Sequence, residues 1–214
     1  MTALVKHLGL ADYAKTYEAM RAFTKDRDSS TPDEIWILEH PPVFTLGLAG
    51  DAGNLHSPSN QIPLVQVDRG GEITYHGPGQ IVVYLLLDLK RLGIFVKELV
   101  SRIEQSLIDT LGDFGIQAER KPGAPGIYIS QQAGVSPEWF GAKVAALGLK
   151  VSKSCSYHGL ALNVATDLDA FGRIHPCGYE GLRTVDMQTL GIKDNMDSIS
   201  QKLLSHLQKQ LIPS

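Results

Sequence analysis

Apolar residues recur at helical spacing in three parts of the chain. Residues 13–23 form an amphipathic stretch that follows Asp12, a residue type that commonly stands at a helix N-terminus. The same spacing runs through residues 96–114, where Gly115 supplies a stop, and through residues 196–211. The pattern therefore predicts one helix near each end of the chain and one in its middle.

Shorter apolar or alternating runs predict strands between these helices. The predicted strands cover residues 34–39, 62–68, 81–87, 127–129, 143–151 and 160–164, with a turn at 154–159. The run 81–87 is apolar on both faces, which is typical of a central strand. Helices and strands come in mixed order without regular β-α alternation, which favours an α+β fold. No repeat or linker divides residues 1–214, so we expect a single domain.

Composition and charge narrow the function classes. Of 214 residues, 20 are Lys or Arg and 23 are Asp or Glu, and the resulting net charge of −3 does not favour nucleic-acid binding. The longest uninterrupted apolar run, 81–87, is far shorter than the roughly 20 residues of a membrane helix. The first 22 residues lack the features of a signal or transit peptide. Two cysteines are too few for a disulfide framework, so we expect a cytoplasmic protein with reduced thiols.

A glycine-rich segment, residues 69–80, is the first place where chemistry is expected. Four glycines and a proline in twelve residues force a tight backbone path and permit close approach of a ligand. The segment lacks the Lys-Ser/Thr ending of a P-loop, which excludes that type of phosphate site. The alternative interpretation is a plain hairpin that carries His76 incidentally.

Lys143 lies in a stretch of small and apolar residues, 141–148, and the nearest acid along the chain is Glu138. It is either a strand-end lysine whose charged head reaches water or a lysine in surroundings of low polarity. In the second case desolvation disfavours the charged form, so that the amine can act as a base or proton relay. The residues alone leave both interpretations open.

Cys177 stands between a proline and a glycine in the segment 175–178, which predicts a bent and accessible loop. Cys155 fits the more usual role of an unpaired cysteine, a small apolar residue in the core. Because the thiolate is the nucleophilic form, a reactive Cys177 needs a neighbouring base or cation. The candidates along the chain are Lys143, His76, His158 and His175.

The same residue types allow a metal-binding interpretation. Cys155, His158, His175 and Cys177 make up a Cys2His2 set in name. One residue separates the members of the second pair, which is poor zinc-finger spacing. We therefore expect no metal site.

The glycine-rich, lysine and cysteine segments belong to a larger set of motifs. They are Glu39-His40-Pro41-Pro42-x-x-Thr45-Leu46-Gly47, Arg69-Gly70-Gly71-x-x-Thr74-Tyr75-His76-Gly77-Pro78-Gly79-Gln80 with Tyr84 following, Lys143-Val144-Ala145-Ala146-Leu147-Gly148, His158-Gly159-Leu160-Ala161-Leu162-Asn163, and Pro176-Cys177-Gly178. In order and spacing, over about residues 35–190, the chain resembles the lipoyl(octanoyl) transferase family. It departs from that family at residues 130–140, which are longer than usual. The resemblance implies a mixed sheet with flanking helices, like the catalytic domains of biotin and lipoate protein ligases.

The resemblance also implies residue roles. Cys177 matches the nucleophile that carries the acyl group as a thioester. Lys143 matches the lysine that lowers the pKa of that thiol and relays protons. The residues that match the substrate-binding segments are Arg69, Gly70, Gly71, Glu72, Ile73, Thr74, Tyr75, His76, Ala146, Leu147, Gly148, Gly159, Leu160 and Ala161.

The implied partners are proteins, and the implied reaction needs neither ATP nor a metal. The donor is octanoyl-acyl carrier protein, and the acceptors are lipoyl domains of 2-oxoacid dehydrogenase subunits and the glycine-cleavage H protein. We expect a cytoplasmic monomer that binds neither nucleic acid nor membrane. Two alternatives stay open: an ATP-dependent lipoate or biotin ligase on the same fold, and a Cys/His metal-binding or lipid-binding module without catalysis.

Overall fold

Helices and strands alternate irregularly through the part of the chain that the computed structural model describes, residues 3–57, 61–175 and 181–211. The helices are α1 (Tyr13–Asp26), α2 (Leu89–Leu92), α3 (Val96–Asp113) and α4 (Met196–Leu211). The strands are β1 (Leu4–Leu10), β2 (Glu34–Glu39), β3 (Val43–Leu46), β4 (Leu64–Gln66), β5 (Ile73–His76), β6 (Gln80–Leu86), β7 (Ala118–Lys121), β8 (Ala124–Ile129), β9 (Lys143–Ser152) and β10 (Cys155–Asn163).

The larger of two sheets has seven strands in the order β1-β2-β6-β10-β9-β8-β7. β1 runs parallel to β2, and the other neighbouring pairs are antiparallel. Along β6, Ile81 and Val83 enter the apolar core on one face, whereas Val82 and Tyr84 enter the core on the other face. This burial on both faces is what the apolar run of β6 predicts.

Helices cover both faces of the larger sheet. On one face α3 and α4 pack together through fully buried residues such as Leu107 and Leu203. On the other face α1 inserts Met20 beside Trp36 of β2. Asp12 caps α1 by accepting a hydrogen bond from the Lys15 backbone N–H at 3.0 Å. A cavity lies where the smaller sheet approaches the larger one.

The smaller sheet has the order β4-β3-β5 and contains part of the glycine-rich segment. β3 is parallel to β4 and antiparallel to β5. The ring of Tyr75 packs between Phe44 and Phe171, with ring centroids 5.6 and 5.5 Å away. The Gly70 N–H donates to the Leu149 carbonyl oxygen of β9 at 2.9 Å, which ties the segment to the larger sheet.

The architecture confirms the predicted α+β class, with a mixed sheet and flanking helices. The three predicted helices are present as α1, α3 and α4, and the strand predicted at 34–39 is β2. The strand predicted at 62–68 is shorter, because β4 starts after Pro63, which has no N–H for a ladder.

The turn predicted at residues 154–159 is wrong, because β10 already begins at Cys155. The actual turn is Lys153-Ser154, whose φ angles of 50° and 62° suit a tight two-residue hairpin. Gly159 lies inside the strand and does not break it. A Cβ at Gly159 would come within 2.0 Å of the Val83 carbonyl oxygen, so a glycine is required where β10 and β6 approach closely.

Four strands, β1, β3, β5 and β7, were not predicted from the sequence pattern. β1 lies at the edge of the larger sheet with all seven of its residues exposed or half-buried, so its residues show no alternation. β3 and β5 are each four residues long, and β5 follows a run of glycines. Their places are set by pairing with distant segments and not by a local pattern.

Candidate active site

A cavity of about 390 Å³ lies where the larger sheet meets the glycine-rich segment and α3. This volume falls in the range of roughly 300–1,000 Å³ that is common for small-molecule sites. Apolar side chains such as Val82, Val100 and Leu160 form much of its wall. The predicted substrate-binding residues that line it are Arg69, Gly70, Gly71, Glu72, Ile73, Thr74, His76, Ala146, Leu147, Gly148, Gly159, Leu160 and Ala161. The fold thus gathers three separate sequence motifs around one cavity.

Tyr75 is the predicted substrate-binding residue that does not line the cavity. Its side chain is 1% exposed and belongs to the apolar cluster of the smaller sheet. A Cβ at Gly77 would come within 2.2 Å of the Tyr75 hydroxyl oxygen, so this glycine makes room for the ring. The position of Tyr75 therefore supports the cavity wall from behind.

Lys143 is the first residue of β9 and points its amine into the wall of the cavity. The residue is only 5% exposed, and Nζ donates a hydrogen bond to the Pro125 carbonyl oxygen at 2.8 Å. Nζ also lies 5.6 Å from the centroid of the Tyr128 ring. Of the two interpretations drawn from the sequence, the structure favours a buried lysine over one that reaches bulk water.

Gly126 in β8 provides the space for the Lys143 side chain. A Cβ at Gly126 would lie 2.4 Å from Lys143 Cε and 2.9 Å from Nζ. The φ angle of Gly126 is 132°, which L side chains rarely adopt. The backbone of Lys143 is fixed separately, since its N–H donates to Arg183 and its carbonyl accepts from Val185. The conformation of β8 thus determines where the amine lies.

The predicted nucleophile, Cys177, lies outside the described residues, together with its neighbours 176–180. His175, another residue considered as its base, is the last described residue before this gap. Its backbone N–H donates to the Asn54 carbonyl oxygen at 3.0 Å, and its ring centroid lies 4.5 Å from that of His56. His175 does not line the cavity that contains Lys143.

Cys155 is a packed thiol, as expected. It is 7% exposed at the start of β10, and burial raises the pKa of its thiol. Its Sγ lies 3.6 Å from the Lys153 carbonyl oxygen. A raised pKa leaves little thiolate at neutral pH, so this cysteine is chemically quiet.

Arg69 holds the glycine-rich segment in place. Its guanidinium donates to the carbonyl and hydroxyl oxygens of Thr45, each at 2.8 Å, and to the Gly70 carbonyl oxygen at 2.9 Å. Gly148 permits this position, because a Cβ there would come within 2.9 Å of Arg69 Cδ. These contacts join β3, the glycine-rich segment and β9 around the cavity.

A cluster around Asp68 was missed by the sequence reasoning. The carboxylate accepts hydrogen bonds from the hydroxyl groups of Tyr17 and Tyr157 and lies 3.4 Å from Nε2 of His158. Burial raises the pKa of Asp68, but the hydrogen bonds from Tyr157, Tyr17 and His158 outweigh it and leave the pKa below its ordinary value. The carboxylate therefore stays ionised and orients His158, which lines the cavity.

His158 itself has an unusual backbone. Its φ angle of 59° is left-handed, which breaks the alternation of β10 and lets Tyr157 and His158 both reach Asp68. Burial, together with the charge of Arg69, lowers the pKa of His158 to about 4. The ring is neutral at pH 7 and is available for hydrogen bonding and stacking.

Two tyrosines on the wall were likewise not identified as site residues. Tyr13 begins the amphipathic stretch 13–23, and its ring also lines the cavity and stacks 5.8 Å from His76. Tyr84 was quoted only as part of a motif, and its hydroxyl lies 2.7 Å from Nε2 of His40. Both belong to apolar patterns that signal burial, so no local sequence feature distinguishes them from core residues.

The comparisons with known proteins agree with this geometry. The sequence model of the lipoyl protein ligase A/B catalytic domain matches residues 12–209. An octanoyltransferase from Polynucleobacter asymbioticus is 86% identical over 214 residues, which is 100% of both chains. The chain belongs to the octanoyltransferase family. The sequence predicted both this family and an enzyme with octanoyltransferase activity, and both predictions are confirmed.

Solved structures of ligases share the fold of this octanoyltransferase. A bi-partite lipoate protein ligase from Thermoplasma acidophilum is similar with a TM-score of 0.73 and 15% identity, over 99% of this chain and 84% of that one. The biotin protein ligase from Aquifex aeolicus, in complex with biotin and ATP, has a TM-score of 0.56 and 13% identity, over 96% and 70%. At such identities the likeness shows the fold alone, and it confirms the predicted biotin/lipoate ligase-like architecture.

The metal set considered from the sequence is not assembled by the described residues of this octanoyltransferase. Cys155 faces the Lys153 carbonyl oxygen, whereas His158 is bonded to Asp68. Within residues 3–57, 61–175 and 181–211, no group of three or more His, Cys, Asp or Glu side chains is arranged to hold a metal ion. Over the same ranges, no helix is both long and apolar enough to cross a membrane.

Proposed function

We propose that this enzyme transfers an octanoyl group in two steps through a thioester on Cys177. In the first step the Cys177 thiolate attacks the thioester of octanoyl-acyl carrier protein, which forms octanoyl-Cys177 and releases the carrier thiol. In the second step the ε-amine of a lysine on a lipoyl domain attacks this intermediate. A C–N bond forms, the C–S bond breaks, and Cys177 is regenerated.

The observation that carries the proposal is the buried amine of Lys143 on the cavity wall, in a chain of the octanoyltransferase family. Its hydrogen bond to the Pro125 carbonyl oxygen supports a fixed position for the amine. An amine at this place can accept the Cys177 proton in the first step and return a proton to the leaving carrier thiol. The role of Cys177 itself rests on the motif Pro176-Cys177-Gly178.

The wall of the cavity supports an acyl chain as the transferred group. Val82, Leu147 and Leu160 offer apolar contact, and the glycines at 70, 71 and 159 leave backbone as the wall. Burial of each CH₂ group is worth about 0.8 kcal/mol. A closed apolar wall would therefore distinguish chains that differ by two carbons by about 1.6 kcal/mol, or roughly fifteen-fold.

The proposed reaction uses neither ATP nor a metal ion, because thioester exchange is nearly balanced and amide formation from a thioester is downhill. The proposed acceptors are lipoyl domains of 2-oxoacid dehydrogenase subunits and the glycine-cleavage H protein. We place the enzyme in the cytoplasm, since a nucleophilic thiol has to stay reduced between turnovers. We also propose that it is a monomer.

Transfer without ATP tests this function against the ligase alternative. The protein is incubated with octanoyl-acyl carrier protein and a lipoyl domain, and the mass of the lipoyl domain is measured. We expect one octanoyl group to be added without ATP. A parallel reaction supplies free octanoate and ATP, as a ligase requires. Transfer in the second reaction only would contradict the proposal.

A further inference from the structure

A chain of side-chain amides runs from the backbone to His76 at the cavity. The Asn163 Nδ2 donates to the Val185 carbonyl oxygen at 3.2 Å, which leaves Asn163 Oδ1 as an acceptor. The Gln80 Nε2 donates to this oxygen at 2.9 Å and to the Tyr75 carbonyl oxygen at 3.2 Å. The Gln80 Oε1 lies 2.7 Å from Nδ1 of His76. Gln80 and Asn163, which end two of the sequence motifs, thus belong to one buried network.

This network decides which ring nitrogen of His76 carries the proton. Backbone carbonyl oxygens only accept hydrogen bonds, so Asn163 and Gln80 each have a single allowed orientation. Gln80 therefore presents an acceptor to His76, and Nδ1 has to be the protonated nitrogen. In a neutral imidazole Nε2 is then an acceptor. Within the described residues, the structure gives Nε2 no hydrogen-bond donor as a partner.

His76 is neutral because it is enclosed by protein. Burial lowers its pKa to about 3. The electrostatic effects of the neighbouring His40 and Arg69 act in the same direction, whereas the hydrogen bond to Gln80 acts in the opposite one. A base this weak does not take a proton from an amine at pH 7. His76 can therefore accept a hydrogen bond at Nε2 but cannot remove the proton.

The network also connects His76 to the proposed reaction centre. Val185, which accepts from Asn163, donates its N–H to the Lys143 carbonyl oxygen at 3.0 Å. Its neighbour Thr184 forms a bridge with Lys143 and lines the cavity. One hydrogen-bonded path thus runs from the ring of His76 to the backbone of Lys143, and both residues line the same cavity.

An acceptor at this place fits an N–H group of a reactant. The octanoyl chain and the thioester carbonyl have no hydrogen-bond donor, so neither can satisfy Nε2 of His76. The attacking amine does have N–H bonds, and its lone pair has to point at the thioester carbon. An acceptor that holds one N–H bond fixes that orientation.

We propose that Gln80 and Asn163 are positioning residues that hold His76 as the acceptor for an N–H bond of the attacking lysine amine. The inference rests on the proposed two-step transfer and concerns its second step. The acceptor lysine enters as an ammonium and loses two protons as the C–N bond forms and the C–S bond breaks. One proton reaches the Cys177 sulfur and the other reaches solvent, while His76 keeps its own Nδ1 proton throughout.

The tautomer of His76 can be measured without catalysis. Nitrogen NMR of the protein with ¹⁵N-labelled histidine, at neutral pH, should show a protonated Nδ1 and an unprotonated Nε2. Gln80→Met removes the acceptor for the Nδ1 proton, so we expect a mixture of both tautomers in this variant. A protonated Nε2 in the unaltered protein would overturn the proposal, whatever the outcome for transfer.

The two half-reactions test the role in transfer. With octanoyl-acyl carrier protein, Gln80→Met should form the octanoyl adduct at the unaltered rate. Transfer from the isolated adduct to a lipoyl domain should be slower by about tenfold, the usual effect of one lost hydrogen bond. Gln66→Met is the matched control, because Gln66 also donates to backbone carbonyl oxygens but lies in the smaller sheet. It should leave both half-reactions unchanged.

The outcomes separate the inference from the proposed function. Equal loss in both half-reactions would show a structural role for Gln80 and overturn the inference. Slower adduct formation alone would also overturn the inference. In that case Nε2 of His76 would accept from an amide N–H on the thiol-bearing arm of the donor, and not from the attacking lysine amine. An unaltered protein that forms no adduct would instead contradict the two-step function, and the tautomer measurement would still decide the state of His76.

Discussion

Lys143 and Arg69 are two buried basic residues on the same cavity wall, and their side chains suit different tasks. The planar guanidinium of Arg69 makes several hydrogen bonds at once, and these fix the glycine-rich segment to Thr45. The amine of Lys143 is a compact group that can gain and lose a proton, and its hydrogen bond to Pro125 keeps it at the wall. The arginine therefore builds the cavity, and the lysine is the group suited to proton transfer.

Replacement of Lys143 by alanine should slow alkylation of Cys177 at neutral pH by about tenfold. Without Lys143 the pKa of the Cys177 thiol should rise by about one unit, which corresponds to about 1.4 kcal/mol. The thiolate fraction at neutral pH then falls about tenfold. The rate of reaction with iodoacetamide is measured in a Cys155→Ser background, so that one cysteine remains.

Lys121→Ala is the matched control for this measurement. Lys121 also lies over the Tyr128 ring, at 4.4 Å, and donates to a backbone carbonyl oxygen, but it does not line the cavity. We expect its alkylation rate to equal that of the unaltered protein. An unchanged rate in Lys143→Ala, or equal slowing in both variants, would contradict the role of Lys143.

The hairpin formed by β7 and β8 is the element that positions Lys143. Pro125 supplies the carbonyl oxygen for Nζ, and Gly126 supplies the space for the side chain. At the tip of the same hairpin, Gly123 has a left-handed φ of 76° but no atom within 4 Å of an added Cβ. Both glycines therefore have positive φ angles that disfavour a side chain, and they differ in whether an added Cβ would touch the lysine.

We expect Gly126→Ala to lower the rate of adduct formation strongly, since the new methyl group has to displace the Lys143 side chain. It should also destabilise the fold by more than the roughly 1–2 kcal/mol that a left-handed alanine costs. Gly123→Ala should lose only the stability that a left-handed alanine costs, and its rate of adduct formation should be unchanged. Both effects are measured by urea denaturation and by intact mass over time. A normal rate in Gly126→Ala would show that the hairpin does not position the amine.

An element could be predicted from the sequence where a local pattern determines it, and could not where long-range contacts do. The helices were predictable because burial of one face imposes a repeating pattern on α1, α3 and α4. β10 was predicted too short because His158 and Gly159 resemble a turn, whereas contacts with other strands require them there. The motifs located most of the cavity wall, but Tyr13 and the Asp68 cluster depend on long-range packing, which no local pattern records.

At the scale of the whole molecule, the two sheets enclose polar side chains in a largely apolar interior. His40 is fully buried, with Nδ1 near the Ala11 carbonyl oxygen and Nε2 near the Tyr84 hydroxyl. Burial lowers the pKa values of His40, His76 and His158, so all three are neutral in the folded protein at pH 7. The fold therefore depends on histidines that must not become charged.

Stability should fall as the pH is lowered from 7 to 5. The unfolded chain binds protons at these histidines near pH 6.5, whereas the folded protein does not, since the folded pKa values of His76 and His158 are about 3 and about 4. His76 and His158 each contribute roughly 2 kcal/mol to the loss of stability between pH 7 and pH 5. Urea denaturation at both pH values measures the change.

Variants identify the groups that cause this pH dependence. His158→Asn removes one neutral histidine, and asparagine tolerates the left-handed backbone at that position. We expect a smaller difference in stability between pH 7 and pH 5 in this variant. The exposed His7, replaced by Gln, should leave the difference unchanged. Equal or greater stability at pH 5 than at pH 7 would contradict this account.

The most direct test of the two-step transfer is the mass of the protein itself after exposure to octanoyl-acyl carrier protein without an acceptor. We expect one octanoyl group on the protein, mapped to Cys177 by peptide analysis. The adduct should persist in Cys155→Ser, because Cys155 is buried in β10, and disappear in Cys177→Ser. The absence of a covalent adduct on the unaltered protein, or an adduct on Cys155, would contradict the transfer through Cys177.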